Sequence, residues 1–253
     1  MAQVNNFAIE ITDMGFSYPD NPEVSFSNFN LKIEKGWRFG LFGPNGAGKT
    51  TLMNLMTGLL QFNSGRITLL GHNVSSHDKV VNKLFGFVPQ DFSFYQELSP
   101  AENLEFFGAW CGLNKKEINR RTDELLNILG LEEVRDKQVL KFSGGMKRRV
   151  NLAIGVIGGP QVLFLDEPTV GVDVQTRHAI ISYLKALNER GTTLVYTSHQ
   201  LSEAEDLCDQ VALLDSGKII TQGNIDLLLK EHKNENLEGL FIDLTGKEYR
   251  NDV

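Results

Sequence analysis

The sequence predicts an α/β protein with a parallel-sheet core, a small antiparallel sheet at the amino end and a helical lobe inserted into the core. Strand-like segments come first and lead to a glycine-rich loop that is followed by a helix. A mostly helical stretch from about residue 99 to 158 comes next, and two compact apolar segments, VLFLD and TLVYTSH, then flank a further helix. Buried strands that alternate with helices are typical of a parallel sheet.

The first part of this pattern runs from residue 7 to 42. The segments FAIEITDM, FNLKIEKG and WRFGLF read as strands around the turn-rich SYPDNPEV. After Lys49, the segment TLMNLMTGLL has apolar residues at helical spacing and ends at the turn QFNSGR. The residues with that spacing are Leu52, Leu55, Met56 and Leu59.

The helical lobe begins at a strong local signal. Ser99 and Glu102 form a predicted capping box, with Pro100 at the first helical position. We expect a single domain over residues 1–253, with an α/β core in 1–90 and 159–223. The helical lobe is expected in 91–158, and a short amphipathic tail in 224–253.

Composition limits the classes of protein that fit. The 253 residues, 41% of them hydrophobic, suffice for one large α/β domain. A formal net charge of -7 argues against a surface built for nucleic acid, so no nucleic-acid partner is expected. Cys111 and Cys208 lack metal-like spacing and are expected to be buried thiols. The amino end has no secretion signal and no window offers the ~20 apolar residues of a membrane span, so a cytoplasmic location is expected.

The glycine-rich loop fits the phosphate-loop pattern, in the strand-to-helix context that this pattern requires. Glycines let the backbone approach phosphate closely, and the helix start adds its positive end. Lys49 is expected to reach the β- and γ-phosphates, and Thr50 to ligate Mg²⁺. The predicted nucleotide-binding residues here are Gly43, Pro44, Asn45, Gly46, Ala47, Gly48, Lys49, Thr50 and Thr51.

Two carboxylates, Asp166 and Glu167, end the apolar segment VLFLDE. A pair of acids after a strand is usually a solvated turn, but a phosphate loop upstream reverses that interpretation. Asp166 is then expected to hold Mg²⁺ through water, and Glu167 to activate the attacking water as a general base.

The segment from Phe142 to Arg149 resembles the signature of ABC (ATP-binding cassette) proteins, whose usual form is Leu-Ser-Gly-Gly-Gln. Phe142 and Met146 depart from that form, whereas Ser143, Gly144 and Gly145 match it. A hydroxyl and two glycines before a helix make a second anion site on a different lobe. The resemblance implies that two subunits pair head to tail, each signature closing over the ATP of its partner.

The resemblance covers nearly the whole chain and implies the ABC ATPase fold, with a P-loop NTPase (RecA-like) core, and the cofactors ATP and Mg²⁺. It implies that Tyr18 stacks on adenine and that Gln90 touches the metal or the water. It further implies that Asp173 lies at the dimer seam and that His199 contacts the γ-phosphate as a catalytic residue. Alone, such a tyrosine would more often be core and such a histidine structural.

Two basic runs and an aromatic segment have less specific interpretations. The basic runs at 120–121 and at 147–149 are expected to be solvated helix faces. The rings of Phe92, Phe94 and Tyr95, directly after Gln90, either pack on the helical lobe or contact a partner, and the sequence does not separate these alternatives.

Three classes of ABC protein carry such motifs: transporter motors, soluble ATPases that act on DNA or ribosomes, and catalytically silent regulatory subunits. A soluble ATPase acting on DNA or ribosomes would carry a long coiled coil, zinc modules or a second cassette, none of which is present. A silent regulatory subunit would lack Glu167 or His199. The sequence looks most like the ATPase subunits of ABC-2-type exporters, although Val174 stands where proline is frequent. The predicted partners are a second cassette and a separate membrane permease, which would hold the chain on the inner face of the membrane and choose the cargo.

Overall fold

The computed structural model describes residues 6–19, 25–74, 80–198 and 200–246. The strands are β1 (Phe7–Ser17), β2 (Ser25–Glu34), β3 (Arg38–Phe42), β4 (Ser64–Leu69), β5 (His72–Asn73), β6 (Phe85–Val88), β7 (Val162–Asp166), β8 (Thr193–Thr197), β9 (Gln210–Asp215) and β10 (Lys218–Asn224). The helices are α1 (Lys49–Met56), α2 (Val81–Leu84), α3 (Pro100–Trp110), α4 (Lys115–Ile128), α5 (Gly144–Val156), α6 (Val174–Glu189), α7 (Leu201–Leu207), α8 (Ile225–His232) and α9 (Leu237–Thr245).

Four strands form the predicted antiparallel sheet near the amino end, in the order β2-β1-β4-β5. Ile9 and Ile11 on β1 pair with Leu69 and Ile67 on β4, and all four side chains are buried. The sequence predicted β1 and β2 but not β4, which was obscured by the turn signal at its start. Its strand conformation depends on pairing with β1, more than 50 residues earlier in the chain.

The second sheet has six strands in the order β10-β9-β3-β8-β7-β6. Pairings from β9 through β3, β8 and β7 to β6 are parallel, and β10 is an antiparallel edge. Strand β7 is buried on both faces. Val162 and Phe164 join the core shared with the antiparallel sheet and α1, whereas Leu163 and Leu165 join the core shared with the helices. This explains why VLFLD is a continuous apolar run.

The helical lobe of α3, α4 and α5 starts at the predicted capping box. Ser99 Oγ accepts a bond from Glu102 N at 3.3 Å, and Glu102 Oε2 accepts one from Ser99 N at 2.7 Å. Helix α4 is capped by Asn114 and α5 by Ser143. Each start satisfies donors that a helix leaves without partners.

Two expectations were wrong in detail, those for Leu59 and Cys111. Helix α1 ends at Met56, and Leu59, assigned to its apolar face, lies beyond it with 64% of its surface exposed. Cys208 is buried as expected, but Cys111 is only partly buried.

The amphipathic tail consists of α8 and α9, and α9 contributes buried Phe241 to the main core. Among the described residues, no helix combines the length and the apolar character that crossing a bilayer requires.

Candidate active site

Four neighbouring strands of the parallel sheet bring most of the predicted site residues to one edge. The spatial order is β3, β8, β7 and β6. Strand β3 leads into the glycine loop, β8 into Ser198, β7 into Glu167 and β6 into Gln90. Because parallel strands end at the same edge of a sheet, these segments converge where α/β proteins bind ligands.

The glycine loop has the backbone that its residues allow. Gly46 and Gly48 have φ values of 81° and 103°, in the left-handed region that favours glycine. A Cβ on Gly43 would lie 2.2 Å from the carbonyl oxygen of Leu214, so only glycine fits there. Gly48 caps α1 without a side-chain hydrogen bond, and no acidic residue lies in the first turn. The start of α1 therefore offers backbone donors and positive potential to an anion.

Lys49 lies in this loop with only 6% of its surface exposed. Its Nζ donates to the carbonyl oxygens of Gly43 at 2.8 Å and Pro44 at 3.2 Å. Burial lowers the pKa of Lys49, and the negative charges of Glu167 and Asp166 act in the opposite direction. An ammonium group with three donors and two carbonyl contacts fits a further anionic partner such as phosphate.

Asp166 and Glu167 are both buried and are fixed by the neighbouring strand. Thr197 Oγ1 donates to Asp166 Oδ1 at 2.6 Å. Glu167 has φ 50°, and its N–H lies 3.2 Å from both the carbonyl oxygen and the hydroxyl of Thr197. Gln90 Nε2 donates to Glu167 Oε2 at 3.1 Å. The left-handed backbone at a non-glycine residue is the kind of strain that active sites retain. Thr197 was not singled out by the sequence.

The predicted Mg²⁺ ligands Thr50, Gln90 and Asp166 line one cleft of about 1140 Å³. A hydroxyl, an amide oxygen and a carboxylate are the hard oxygen donors that Mg²⁺ prefers, together with water and substrate phosphates. Within the described part of the chain, no group of three His, Cys, Asp or Glu side chains could hold a metal by itself. The oxygen donors of Thr50, Gln90 and Asp166 therefore fit a Mg²⁺ ion that binds together with the phosphates of a nucleotide.

Tyr18 lies beside α1. Its hydroxyl is 3.3 Å from Thr51 Oγ1, and its ring meets Phe16 edge-on with centroids 4.8 Å apart. The structure thus joins Tyr18 to the nucleotide-binding segment, while stacking on adenine stays a prediction. His199 falls outside the described residues.

The signature residues form a separate group at the start of α5. Ser143 caps the helix, and its side chain accepts from Met146 N at 3.3 Å. A Cβ on Gly145 would lie 3.7 Å from Asp173 Oδ2, and one on Gly144 would lie 3.8 Å from the Gly171 carbonyl oxygen. Phe142 is buried, so the departure from leucine at this position substitutes one core side chain for another.

Asp173 caps α6 directly beside the signature. Its carboxylate accepts from Thr176 N at 2.9 Å and Thr176 Oγ1 at 2.7 Å. The backbone hydrogen bond from Thr176 is the main reason that the pKa of Asp173 is below its usual value. The signature and the predicted seam residue are therefore neighbours within one subunit.

Arg148 was expected to be part of a solvated basic face, and this is wrong. The side chain is buried, and its Nη1 donates to the Gln90 carbonyl oxygen at 2.7 Å. Its guanidinium lies 4.9 Å from the Phe92 ring centroid, and its Nε is buried without a hydrogen-bond partner. Burial lowers the pKa of Arg148, opposed by Glu167 and Asp91. This arginine links the signature helix to the segment that carries Gln90.

The aromatic segment after Gln90 contains rings of both predicted kinds, some packed on the protein and one exposed. Phe92 packs on Phe94, which packs on the core. Tyr95 is 48% exposed and stands edge-on to Phe106, with centroids 5.0 Å apart. Trp110, which the sequence did not single out, is 81% exposed at the mouth of the cleft. Tyr95, Phe106 and Trp110 leave large apolar surfaces uncovered.

Comparison with known proteins identifies the family. A family model described as ABC transporter matches residues 26–170, more than half of the chain. The chain belongs to the ABC transporter family. This ABC protein is 42% identical over 207 residues to a linearmycin resistance ATP-binding protein of Bacillus subtilis (strain 168), covering 82% of this chain and 66% of that protein. It is 38% identical over 229 residues to a Nod factor export ATP-binding protein I of Rhizobium sp. (strain N33), covering 90% and 75%.

Solved structures agree with the ABC assignment. An ATP-binding subunit of an ABC transporter matches with a TM-score of 0.86 and 26% identity, over 94% of this chain and 99% of that one. A dimeric ATP-binding cassette in a post-hydrolysis state with ADP and Pi matches with a TM-score of 0.78 and 25% identity, over 85% and 98%. The predicted family and the predicted ABC ATPase fold are confirmed, and the roles of single residues stay predictions.

Proposed function

We propose that this chain is the ATP-hydrolysing motor subunit of an ABC export system, in which two cassettes close over ATP and drive a separate permease. The observation that carries this proposal is the convergence of Lys49, Gln90, Asp166 and Glu167 at one edge of the parallel sheet. The names of the two relatives, linearmycin resistance and Nod factor export, support an export system.

In the proposed binding mode, the glycine loop and the start of α1 surround the phosphates. Lys49 pairs with the β- and γ-phosphates, which compensates the cost of its burial. Thr50, Gln90 and Asp166, which line the same cleft, would hold Mg²⁺ directly or through water. Mg²⁺ bound there would neutralise the phosphate charge. Tyr18 stacks on the base beside Thr51.

In the proposed reaction, Glu167 accepts a proton from the water whose oxygen bonds to the γ-phosphorus, while the bond from that phosphorus to the β–γ bridging oxygen breaks. The products are ADP, which keeps the bridging oxygen, and inorganic phosphate. The side-chain amide of Gln90 donates to the Glu167 carboxylate and so limits its orientation before water binds. Thr197 holds both Asp166 and the Glu167 backbone, so the two carboxylates have a common support. His199 contacts the γ-phosphate in this proposal.

The proposed dimer places the signature of one subunit over the nucleotide of the other. Ser143, Gly144, Gly145 and Met146 supply the second anion site, and Asp173 lies at the seam. The capped start of α5, which has no acidic residue in its first turn, supports this role. The dimeric solved cassette supports pairing.

A permease helix is proposed to dock at the cleft between the core and the helical lobe, which would hold the chain at the inner face of the membrane. Gln90 lines this cleft near the nucleotide site, and Trp110 lines its mouth. Large exposed aromatic side chains are frequent anchors in protein interfaces.

The catalytic part of the proposal is tested with Glu167→Gln. We expect turnover to fall by about 100-fold or more while nucleotide affinity is retained, because the amide cannot act as the base. The measurement is steady-state phosphate release beside equilibrium binding of a fluorescent ATP analogue. Asp206→Asn is a control that removes an exposed negative charge from α7. Near-normal hydrolysis by Glu167→Gln would remove Glu167 from the mechanism.

The docking part is tested with Trp110→Asp and Tyr95→Asp. Loss of an aromatic anchor is expected to weaken membrane recruitment by about 30-fold or more, with hydrolysis by the isolated chain unchanged. The measurement is the fraction of the tagged chain that sediments with washed membranes of its own cells. Leu227→Asp controls for a charge at an exposed apolar position on α8. Normal recruitment of both aromatic variants would place the docking surface elsewhere.

A further inference from the structure

Glu203 on α7 is a buried carboxylate with no assigned role. Only 3% of its surface is exposed. Its Oε2 accepts hydrogen bonds from Thr169 Oγ1 at 2.7 Å, Tyr196 OH at 2.7 Å and Ser198 Oγ at 2.8 Å. Its Oε1 lies 3.2 Å from Arg177 Nε, so the two side chains form an ion pair. The Nε–H of Arg177 is not aligned well enough with the carboxylate to make a hydrogen bond.

The partners of Glu203 belong to segments that carry proposed site residues. Thr169 lies two residues after Glu167. Arg177 is in the first turn of α6. Its backbone N–H donates to the carbonyl oxygen of the capping residue Asp173 at 2.9 Å. Ser198 ends β8 and directly precedes His199. One carboxylate therefore contacts the segment that follows Glu167, the helix that Asp173 caps and the residue that precedes His199.

We infer that Glu203 is a positioning residue for ATP hydrolysis, holding these three segments in one register around the γ-phosphate position and the dimer seam. The inference rests on the proposed roles of Glu167, Asp173 and His199. Glu203 itself acts through its neighbours and is not assigned to the reacting atoms.

The chemistry of the contacts requires a carboxylate. An ionised carboxylate accepts hydrogen bonds on both oxygens, so it can hold three hydroxyls on one side and a guanidinium on the other. Burial, reinforced by the negative charge of Glu203, raises the pKa of Tyr196 well above its usual value, which keeps its hydroxyl a neutral donor. Glutamine would present an amide donor to Arg177 or to the hydroxyls, whichever way it was turned.

A contribution to folding stability does not by itself explain why a carboxylate is buried at position 203. Burying a carboxylate carries a desolvation cost that a single ion pair often fails to offset, and apolar replacements of buried pairs are frequently no less stable. A shared acceptor does, however, fix the relative positions of every donor that contacts it. Misplacement of a reacting group by about 1 Å can lower a rate by about 100-fold.

The test is Glu203→Gln, which preserves side-chain volume, beside Asp206→Asn on the same helix. Nucleotide-binding sites are counted by titration with a fluorescent ATP analogue, and kcat is expressed per binding site. We expect Glu203→Gln to bind nucleotide within about threefold of the parent chain and to lose between about tenfold and 100-fold in kcat. Asp206→Asn is expected to match the parent in both.

A double-mutant cycle with Arg177→Met tests the shared contact. The loss in kcat of the double variant should be smaller than the product of the two single losses, because both remove the same constraint. An unchanged kcat per site in Glu203→Gln would overturn the inference, and so would a loss of binding sites with a normal rate at those remaining, which marks a purely structural role. Multiplicative losses in the cycle would overturn the part played by Arg177. If both Glu203→Gln and Glu167→Gln retained hydrolysis, the proposed active site itself would be wrong. If Glu203→Gln retained hydrolysis and Glu167→Gln lost it, only the inference about Glu203 would be wrong.

Discussion

At the scale of single residues, burial decides how the charged groups of the site can act. Lys49 and Asp166 are both nearly inaccessible to solvent, and each is held by neutral oxygen atoms of the protein. A buried charge is expensive unless it finds a partner of opposite sign. The phosphates of a nucleotide supply that partner for Lys49, so binding affinity should depend strongly on its ammonium group.

Lys49→Met removes this charge and keeps most of the apolar stem. We expect nucleotide affinity to fall by about tenfold to 100-fold, the scale of a lost hydrogen bond to a charged group. Fluorescence titration with an ATP analogue measures the effect, and Lys218→Met controls for removal of an exposed lysine. An affinity equal to that of the control would show that the lysine is not a phosphate ligand.

At the scale of elements, close backbone contact joins the signature helix to the sheet. A Cβ on Gly86 of β6 would lie 1.9 Å from the carbonyl oxygen of Gly155 on α5. A Cβ on Gly155 would lie 2.4 Å from the side chain of Val88. These two glycines therefore let α5 pack directly on β6, the strand that leads to Gln90. Arg148 adds a hydrogen bond from α5 to the segment that follows β6.

Gly86→Ala should force α5 away from β6, because backbone atoms cannot move aside cheaply. We expect the free energy of unfolding to fall by about 1–3 kcal/mol, as in other overpacked cores. Urea denaturation followed by circular dichroism measures it. Gly144→Ala is the control, since its nearest neighbour would be an ordinary 3.8 Å contact. Equal stability of the two variants would contradict the close packing.

At the scale of the whole molecule, one chain carries the two proposed anion sites, one in the core and one among the helices of the helical lobe. The glycine loop ends at α1 in the core, whereas Ser143 starts α5 in the helical lobe beside Asp173. Both helix starts lack acidic residues in their first turn, so each can attract phosphate. Head-to-tail pairing of two chains would use both sites at once.

Ser143→Arg should block this pairing without affecting nucleotide binding to one subunit, because the large cation occupies the signature surface. The variant is best made in the Glu167→Gln background, where ATP is expected to be consumed slowly. We expect the ATP-dependent dimer mass, measured by light scattering after size exclusion, to be present in Glu167→Gln and absent in the double variant. A dimer that persists in the double variant would refute the head-to-tail arrangement.

The sequence alone determined the family, the fold class and most of the candidate site. Its strongest signals are local: the glycine loop, the capping box at Ser99, the two carboxylates at the end of β7 and the signature at Ser143. Each concerns residues within one turn or loop, where backbone sterics and hydrogen bonding act between sequence neighbours. Adjacent residues can report such features without any knowledge of distant contacts.

Only the tertiary structure decided the roles of residues whose partners are remote. Arg148 looked like part of a solvated run until α5 was packed against the segment after β6. Glu203 and Trp110 carried no local signal; the first gained four partners from three other segments, and the second was left exposed at a cleft. Burial and pairing across long sequence separations depend on how the elements assemble, and that assembly is set by the packing of the whole chain rather than by any short stretch of it.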